Sequence, residues 1–209
     1  MSLGSLKRAV FVACVLPALW LVGRGFTDDL GANPIEEVTH QTGIWTFRFL
    51  LATLAITPLR YLTAWSRLVP LRRMVGLFTF FYACLHFLTY GVDYWFFDLD
   101  AILDDVINRP YITAGFTGFV LLIPLAVTST HAMVRRLGGR RWQQLHRLVY
   151  FSAGAGAAHF LWQTKIDLRR PGIYVGCLAL LFGIRLWERF GSRWLSKVTR
   201  RHAPRFSAW

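Results

Sequence analysis

Six long apolar segments dominate this sequence, and they restrict the chain to a fold that crosses a membrane. The segments lie at about residues 8–23, 43–59, 74–91, 111–130, 143–162 and 172–189. Each is close to the roughly 17–25 residues that a tilted helix needs to cross the hydrocarbon core, with the first two at the short end. With 55% hydrophobic residues and a mean hydropathy of +0.39, the chain is too apolar for an ordinary soluble domain. We therefore predict an all-α integral membrane protein, built as a bundle of six transmembrane helices.

With six spanning helices, the basic and acidic residues separate between the two sides of the membrane. With the N-terminus in the cytoplasm, the inner side carries 18 Lys and Arg against one acid, Glu188, and the outer side carries six cations against ten acids. Cytoplasmic loops of membrane proteins are enriched in Lys and Arg, so the asymmetry predicts that both termini face the cytoplasm. It also accounts for the net charge of +13, which in a soluble protein would suggest nucleic acid. We expect no nucleic-acid partner.

The domain organisation that follows is simple. We expect residues 1–190 to form the six-helix transmembrane domain, and residues 191–209 to form a basic cytoplasmic tail that lies on the anionic inner leaflet. The first apolar segment lacks a small-residue cleavage site, so we expect an uncleaved helix rather than a signal peptide. The chain has no phosphate-binding glycine loop, no CxxC motif and no ordered Ser, His and Asp set. These absences give no support to the chemistry of common soluble enzymes.

Two histidines fall at the same depth in two of the segments. The third and fifth segments run in the same direction, and His86 and His159 lie near their outer ends. Ionisable residues inside a spanning helix are costly and mark a functional site by default. A b-type haem needs one imidazole from each side of its iron, and these two residues provide such a pair. The alternative is that each histidine bonds a neighbouring carbonyl or lines a wet cavity.

A second site at the inner side is less complete. His146 lies at the inner entry of the fifth segment, but the matching positions of the third segment are Arg72 and Arg73. Three interpretations stay open: an inner haem with one protein ligand or an unusual second one, an arginine that contacts haem propionates, or a flavin or quinone site that includes His146. Arginine stays protonated, so we expect it to contact a propionate or phosphate rather than iron.

The spacing of His146 and His159 raises a geometric problem. Thirteen residues of ideal helix separate the rings by about 20 Å, but they also turn the side chain by roughly 140°. The two rings share a face only if the helix is distorted. Gly154 and Gly156 could permit that distortion, leave room for a flat macrocycle, or serve close helix packing.

The remaining histidines have weaker signals. His40 precedes the second segment near Glu36 and Glu37, and it could serve a partner protein, a propionate or neither. His131 is expected at the inner interface, and His202 in the solvated tail.

Four motifs in order carry a resemblance to a known family. They are FLLATLAITPLR (49–60), RRMVGLF with CLHFLTY (72–90), RPYITAGF with LAVTST (109–130), and LGGRRWQQLHRLVY with HFLW (137–162). Together they resemble the MsrQ (YedZ) family, part of the ferric-reductase-like transmembrane group. The family's haem-ligand histidines match His86, His146 and His159.

The resemblance implies an electron conduit in the bacterial inner membrane. Such proteins take electrons from the quinone pool, or from a reduced flavin that a cytoplasmic flavin reductase supplies. They pass them outward to MsrP, a periplasmic molybdopterin enzyme that reduces methionine sulfoxide in oxidised proteins. The resemblance implies haem b, one or two per chain, with FMN as a further cofactor whose phosphate the inner arginines Arg72, Arg73, Arg140 and Arg141 could hold. We expect MsrP to dock on the acidic outer loops, including Asp98, Asp100, Asp104 and Asp105. The alternatives are another haem reductase, such as a ferric reductase, or a transporter or scaffold without a cofactor.

Overall fold

A computed structural model describes residues 2–93, 98–164 and 168–201, with side chains described as far as residue 188. The described part is helical and contains no strand. The longer helices are α1 (Leu3–Phe26), α2 (Pro34–Thr63), α3 (Val69–Asp93), α5 (Pro110–Val127), α8 (Leu148–Gln163) and α9 (Arg169–Arg201). The shorter helices are α4 (Leu99–Asn108), α6 (His131–Leu137) and α7 (Gly139–Leu145), and a 3₁₀ turn (Ser66–Leu68) precedes α3.

The predicted membrane class is confirmed, with one change in detail. By length and composition, five of the described helices can cross a membrane, namely α1, α2, α3 with its 3₁₀ turn, α5 and the part of α9 up to Glu188. The predicted span 143–162 is not one helix, because α7 ends at Leu145 and α8 begins at Leu148. At 16 residues, α8 is short for a full crossing. Six spans and cytoplasmic termini remain predictions.

Two antiparallel helix pairs form the centre of the bundle. In the first pair, Phe49 of α2 packs on Tyr82 of α3, with ring centroids 5.1 Å apart. In the second pair, the Ser152 hydroxyl of α8 donates to the Gly118 carbonyl of α5 at 2.8 Å. Phe80 and Phe87 of α3 stack on Phe119 of α5 and join the two pairs. Because α2 with α3 and α5 with α8 are each antiparallel, and α3 also runs against α5, α3 and α8 run in the same direction.

Side chains from neighbouring helices enter the backbone hydrogen-bond ladder beside two prolines, Pro17 of α1 and Pro58 of α2. Next to Pro17, the buried Tyr82 hydroxyl donates to the Cys14 carbonyl and accepts from the Ala18 N–H, at 2.9 Å each. The hydroxyl therefore takes the place of the direct hydrogen bond between Ala18 and Cys14 in α1, and it links α1 to α3. Pro58 has no N–H to offer the Leu54 carbonyl four residues earlier.

A cationic side chain supplies the hydrogen-bond donor that Pro58 lacks. The Arg185 guanidinium of α9 donates to the Leu54 carbonyl and to the Tyr150 hydroxyl of α8. Leu54 is fully buried in the cluster that joins α2, α5, α8 and α9. A buried carbonyl without a donor is destabilising, so this contact fixes α9 against the bundle.

The acidic outer segment contains an amphipathic helix that was not predicted. Asp98 caps α4, its Oδ1 accepting from the N–H groups of Asp100 and Ala101. Ile102 and Asp105 face inward and are buried. The charge density of this segment indicated a loop, but the spacing of its apolar residues favours a short helix lying against the bundle.

Candidate functional site

A cavity opens at the end of the bundle that we predict to face outward, and it is called the outer cavity here. Its empty space is about 1040 Å³, part of which opens to the surroundings, and its walls come from α2, α3, α4, α5 and α8. Both predicted haem ligands, His86 and His159, line it. Most of the other lining residues are apolar or aromatic, as in most cofactor sites.

The two imidazoles approach each other across this cavity. The ring centroids of His86 on α3 and His159 on α8 lie 6.1 Å apart, with the ring planes at 70°. The shared direction of α3 and α8 places the two residues at the same level. The structure therefore brings together the two residues that the sequence paired.

Backbone carbonyls orient both rings. His86 Nδ1 donates to the Thr39 carbonyl of α2 at 2.8 Å, and His159 Nδ1 donates to the Tyr111 carbonyl of α5 at 2.7 Å. A carbonyl only accepts, so Nδ1 carries the proton and Nε2 keeps its lone pair. Metal-binding histidines commonly have this second contact, which sets the tautomer and the ring orientation.

Two glycines make room for the rings. A Cβ placed on Gly43 of α2 would lie 2.9 Å from His86 Cε1, and one on Gly115 of α5 would lie 2.7 Å from His159 Nδ1. Both distances are too short for a real contact. Each glycine lies four residues after the residue whose carbonyl its histidine bonds. The α2–α3 pair and the α5–α8 pair therefore hold their histidines with the same arrangement of one carbonyl and one glycine, called the cradle below. Sequence reasoning missed both glycines and both carbonyls.

The geometry of this pair fits an iron porphyrin. With metal–nitrogen bonds of about 2 Å, the length imidazole makes with zinc, two axial rings have their centres roughly 6 Å apart. The observed centroid separation is 6.1 Å. Among the described residues, neither Nε2 has a hydrogen-bond partner, so both lone pairs are available for the iron that a b-type haem carries.

Gly154 and Gly156 have different surroundings. A Cβ on Gly154 would meet nothing within 4 Å, whereas one on Gly156 would lie 3.4 Å from the Phe47 ring. Gly156 also lines the outer cavity. The helix distortion proposed for these glycines occurs elsewhere, in the turn at His146 and Arg147 between α7 and α8.

A second cavity, the inner cavity, lies toward the opposite end of α3. Its empty space is about 940 Å³, and its walls include Arg72, Arg73 and His146. The structure thus brings the three predicted inner residues to one cavity. Arg72 is half-buried and Arg73 is exposed.

His146 is held differently from the outer pair. Its ring stacks on Trp142 with centroids 3.9 Å apart, and its Nε2 lies 3.0 Å from the Thr128 hydroxyl. That hydroxyl donates its one proton to the Pro124 carbonyl at 2.6 Å, so it accepts from His146. Nε2 is therefore protonated, and Nδ1 carries the lone pair.

The other predicted residues are placed as follows. His40 is exposed at the rim of the outer cavity, and His131 is exposed at the start of α6. His202 lies outside the described residues, as do the side chains of the predicted tail and the backbone of residues 202–209. Within the described range, α9 continues through the predicted boundary at residue 190 to Arg201.

One acid assigned to the docking surface is wrongly assigned. Asp105 is 5% exposed, and its carboxylate pairs with Arg109 Nε at 2.7 Å and accepts from the Tyr90 hydroxyl at 3.0 Å. A buried and paired carboxylate is not available to a partner protein. Asp98, Asp100 and Asp104 remain exposed.

Comparison with known proteins places this architecture in a family. The family model described as ferric reductase like transmembrane component matches residues 42–157, a segment that contains His86 and His146 and ends two residues before His159.

Full-length relatives extend the similarity to most of the chain. The protein-methionine-sulfoxide reductase heme-binding subunit MsrQ of Herminiimonas arsenicoxydans is 53% identical over 189 residues, covering 88% of this chain and 87% of the relative. The subunit of the same name from Rhodospirillum rubrum is 55% identical over 181 residues and 86% of each chain. That from Azospira oryzae is 50% identical over 189 residues, covering 90% and 81%. Identity at this level over nearly the whole length shows that the chain belongs to the MsrQ family of ferric-reductase-like transmembrane proteins.

Proposed function

We propose that this protein is the haem-binding electron-transfer subunit of a protein-methionine-sulfoxide reductase system, with haem b held by His86 and His159. The observation that carries the proposal is the facing imidazole pair, with ring centroids 6.1 Å apart and each Nδ1 on a backbone carbonyl. The relatives named as heme-binding subunits of such a system support it.

The residues of the outer cavity have distinct tasks in this proposal. The Nε2 atoms of His86 and His159 would hold the iron of a bound haem, and the Thr39 and Tyr111 carbonyls keep both rings oriented. Phe47, Phe87 and other apolar walls exclude water and lower the local dielectric. When bound, the haem accepts and releases one electron at a time.

The inner cavity is proposed to hold an anionic redox group. Arg72 and Arg73 supply the positive charge that a haem propionate or an FMN phosphate requires, and arginine binds both kinds of oxyanion well. His146 is part of the same wall. The His146→Ala variant distinguishes the two groups. It lowers the haem content if the inner cavity holds a haem, and it leaves the bound FMN in place if the cavity holds FMN.

The donor and the acceptor complete the proposal. Quinol from the inner membrane, or a reduced flavin on its cytoplasmic side, supplies electrons at the inner cavity. A periplasmic molybdopterin subunit, MsrP, receives them at the outer end and reduces methionine sulfoxide in oxidised proteins. The chain itself then breaks no substrate bond.

Anaerobic redox spectroscopy tests this function. The purified protein is reduced with a quinol or with reduced FMN, and the cognate MsrP is then added with methionine sulfoxide. We expect a six-coordinate low-spin haem spectrum that is reduced by a donor and reoxidised only when the sulfoxide and MsrP are both present. His131→Ala, which changes an exposed residue outside both cavities, is the control and should behave as wild type.

Two results would contradict the proposal. A colourless protein after haem supplementation excludes the haem assignment. Reoxidation by a ferric chelate, together with no reaction with MsrP and methionine sulfoxide, would identify a ferric reductase instead.

A further inference from the structure

The outward face of α4 carries an exposed apolar stripe. Leu99, Leu103 and Ile107, spaced four residues apart on one side of the helix, are 69%, 57% and 75% exposed. Asp100 and Asp104 are exposed beside the stripe. Residues spaced by four lie next to each other on a helix, so the five side chains form one continuous surface with an acidic edge.

Two hydrogen bonds fix α4 over the outer cavity. Val106, on the inward face, lines the cavity that contains His86 and His159. Its carbonyl accepts from the Thr113 hydroxyl of α5. The buried Asp105 accepts from the Tyr90 hydroxyl of α3 at 3.0 Å. The exposed stripe is thus separated from the histidine-pair cavity by the thickness of one helix, roughly 10–12 Å.

The charge of α4 argues against a lipid surface as the occupant of this face. Helices that lie on membranes are typically rich in Lys and Arg on their polar side. The sequence of α4, LDAILDDVIN, has three acids and no cation. An apolar centre with an acidic edge is complementary to a protein surface with an apolar centre and a basic edge.

We propose that Leu99, Leu103 and Ile107, with Asp100 and Asp104 at their edge, form the docking surface for the water-soluble redox partner. This inference rests on the proposed function and adds the residues of its outer interface. The partner presents an apolar patch bordered by Lys or Arg. Asp105 acts beneath this surface as a positioning residue for α4 and does not touch the partner.

The test measures the rate at which the cognate MsrP, with methionine sulfoxide, reoxidises the reduced protein. The variant is the triple substitution Leu99→Ser, Leu103→Ser and Ile107→Ser. The matched control is Phe26→Ser, Ile35→Ser and Leu168→Ser, which changes three exposed apolar residues at the same end of the bundle. We expect the α4 variant to lower the second-order rate constant at least about tenfold, since apolar centres carry most interface energy. The control should stay within about twofold.

A second variant keeps the test independent of folding. Asp100→Lys with Asp104→Lys changes only exposed side chains, and it should slow the reaction and weaken the decrease in rate that added salt causes for wild type. An unchanged haem spectrum in each variant shows that the cavity is intact. If wild-type haem is reoxidised and both α4 variants react at the wild-type rate, the docking surface is wrong while the function stands. If wild-type haem itself is not reoxidised by the partner, the proposed function fails.

Thiol labelling identifies the occupant directly. Leu103→Cys, in a chain whose three native cysteines are changed to alanine, is treated with a water-soluble maleimide in lipid nanodiscs. We expect rapid labelling that the partner blocks. Slow labelling without partner would mean that lipid or a second copy covers the stripe, and it would overturn the proposal.

Discussion

The outer and inner cavities differ in how they hold their histidines. In the outer cavity, two histidines are each positioned by a carbonyl and a glycine, and no other part of the chain that the structure describes bonds either Nε2. In the inner cavity, one histidine is held by Trp142 and Thr128, its Nε2 is engaged, and two arginines take the place of a second imidazole.

This difference teaches that one helix bundle can present histidines in two arrangements that suit different kinds of ligand. The outer cavity has the symmetric, preorganised donors that metal coordination requires. The inner cavity has fixed positive charge, which suits the oxyanion of a mobile or asymmetrically bound group. We therefore expect the outer site to be sensitive to ring position and the inner site to be sensitive to charge.

The largest expected effect comes from the glycines of the outer cavity. Gly115→Ala places a Cβ 2.7 Å from His159 Nδ1, so the ring must move away from the Tyr111 carbonyl. Overpacking typically costs about 1–3 kcal/mol, which lowers haem affinity by roughly 5- to 150-fold. Gly43→Ala, at 2.9 Å from His86 Cε1, should have a somewhat smaller effect. Haem titration of the apoprotein, followed by absorption, measures both.

Gly154→Ala provides the matched control, because its Cβ would meet nothing within 4 Å. It should bind haem as wild type does. Equal affinity in Gly115→Ala and Gly154→Ala would mean that the cradle does not position the imidazole.

The next effect concerns the cation that supports the inner half of the bundle. Arg185→Met leaves the buried Leu54 carbonyl without its donor, and it should lower the free energy of unfolding by about 1–2 kcal/mol. Pro58→Ala restores a backbone N–H to that carbonyl. In detergent, the double variant should lose about 1 kcal/mol less free energy of unfolding than the sum of the two single variants. Strictly additive losses would refute the link between Pro58 and Arg185.

Charge at the inner cavity has a smaller, functional effect. Arg72→Gln with Arg73→Gln should raise the apparent KM for reduced FMN several-fold, roughly 1 kcal/mol, while the outer low-spin absorption stays unchanged. Arg60→Gln, at the end of α2, is the control for a general loss of positive charge. An altered outer spectrum in the double variant would show that the two sites are not independent.

The smallest effect tests the hydrogen bond of His146. Thr128→Val removes the hydroxyl that lies 3.0 Å from Nε2, and it should lower the free energy of unfolding by about 0.5–1.5 kcal/mol. The haem signal of the outer site should be retained. Thr117→Val, whose hydroxyl bonds a carbonyl of its own helix, serves as the comparison in the same unfolding measurement.

Sequence reasoning reached the membrane class of the protein and the proximity of His86 and His159 because both depend on long-range regularities. Apolar length identifies membrane helices, and a topology converts position in the chain into depth. His86 and His159 could be paired on depth alone. The prediction that α3 and α8 run in the same direction is confirmed by the packing of α2 with α3 and of α5 with α8.

Local structure was less predictable, for identifiable reasons. The carbonyls of Thr39 and Tyr111 are backbone groups, and any residue offers one. Glycine is common in membrane helices, so Gly43 and Gly115 did not stand out. The turn at His146 and Arg147 lies where the sequence has neither Pro nor Gly.

The acidic residues show a similar limit. Asp105 cannot be distinguished by composition from Asp104, although one is buried and paired and the other is exposed. Helical spacing puts Asp104 and Asp105 on different faces of α4, but it distinguishes them only if the segment is known to be a helix.

The most direct test of the central claim is the number of haems per chain, measured with the absorption spectrum in wild type, His86→Ala, His159→Ala and His146→Ala. We predict that each of the first two variants loses one haem together with the low-spin signal of the outer site, and that His146→Ala keeps that signal. Wild-type haem content and an unchanged spectrum in His86→Ala and His159→Ala would contradict the account.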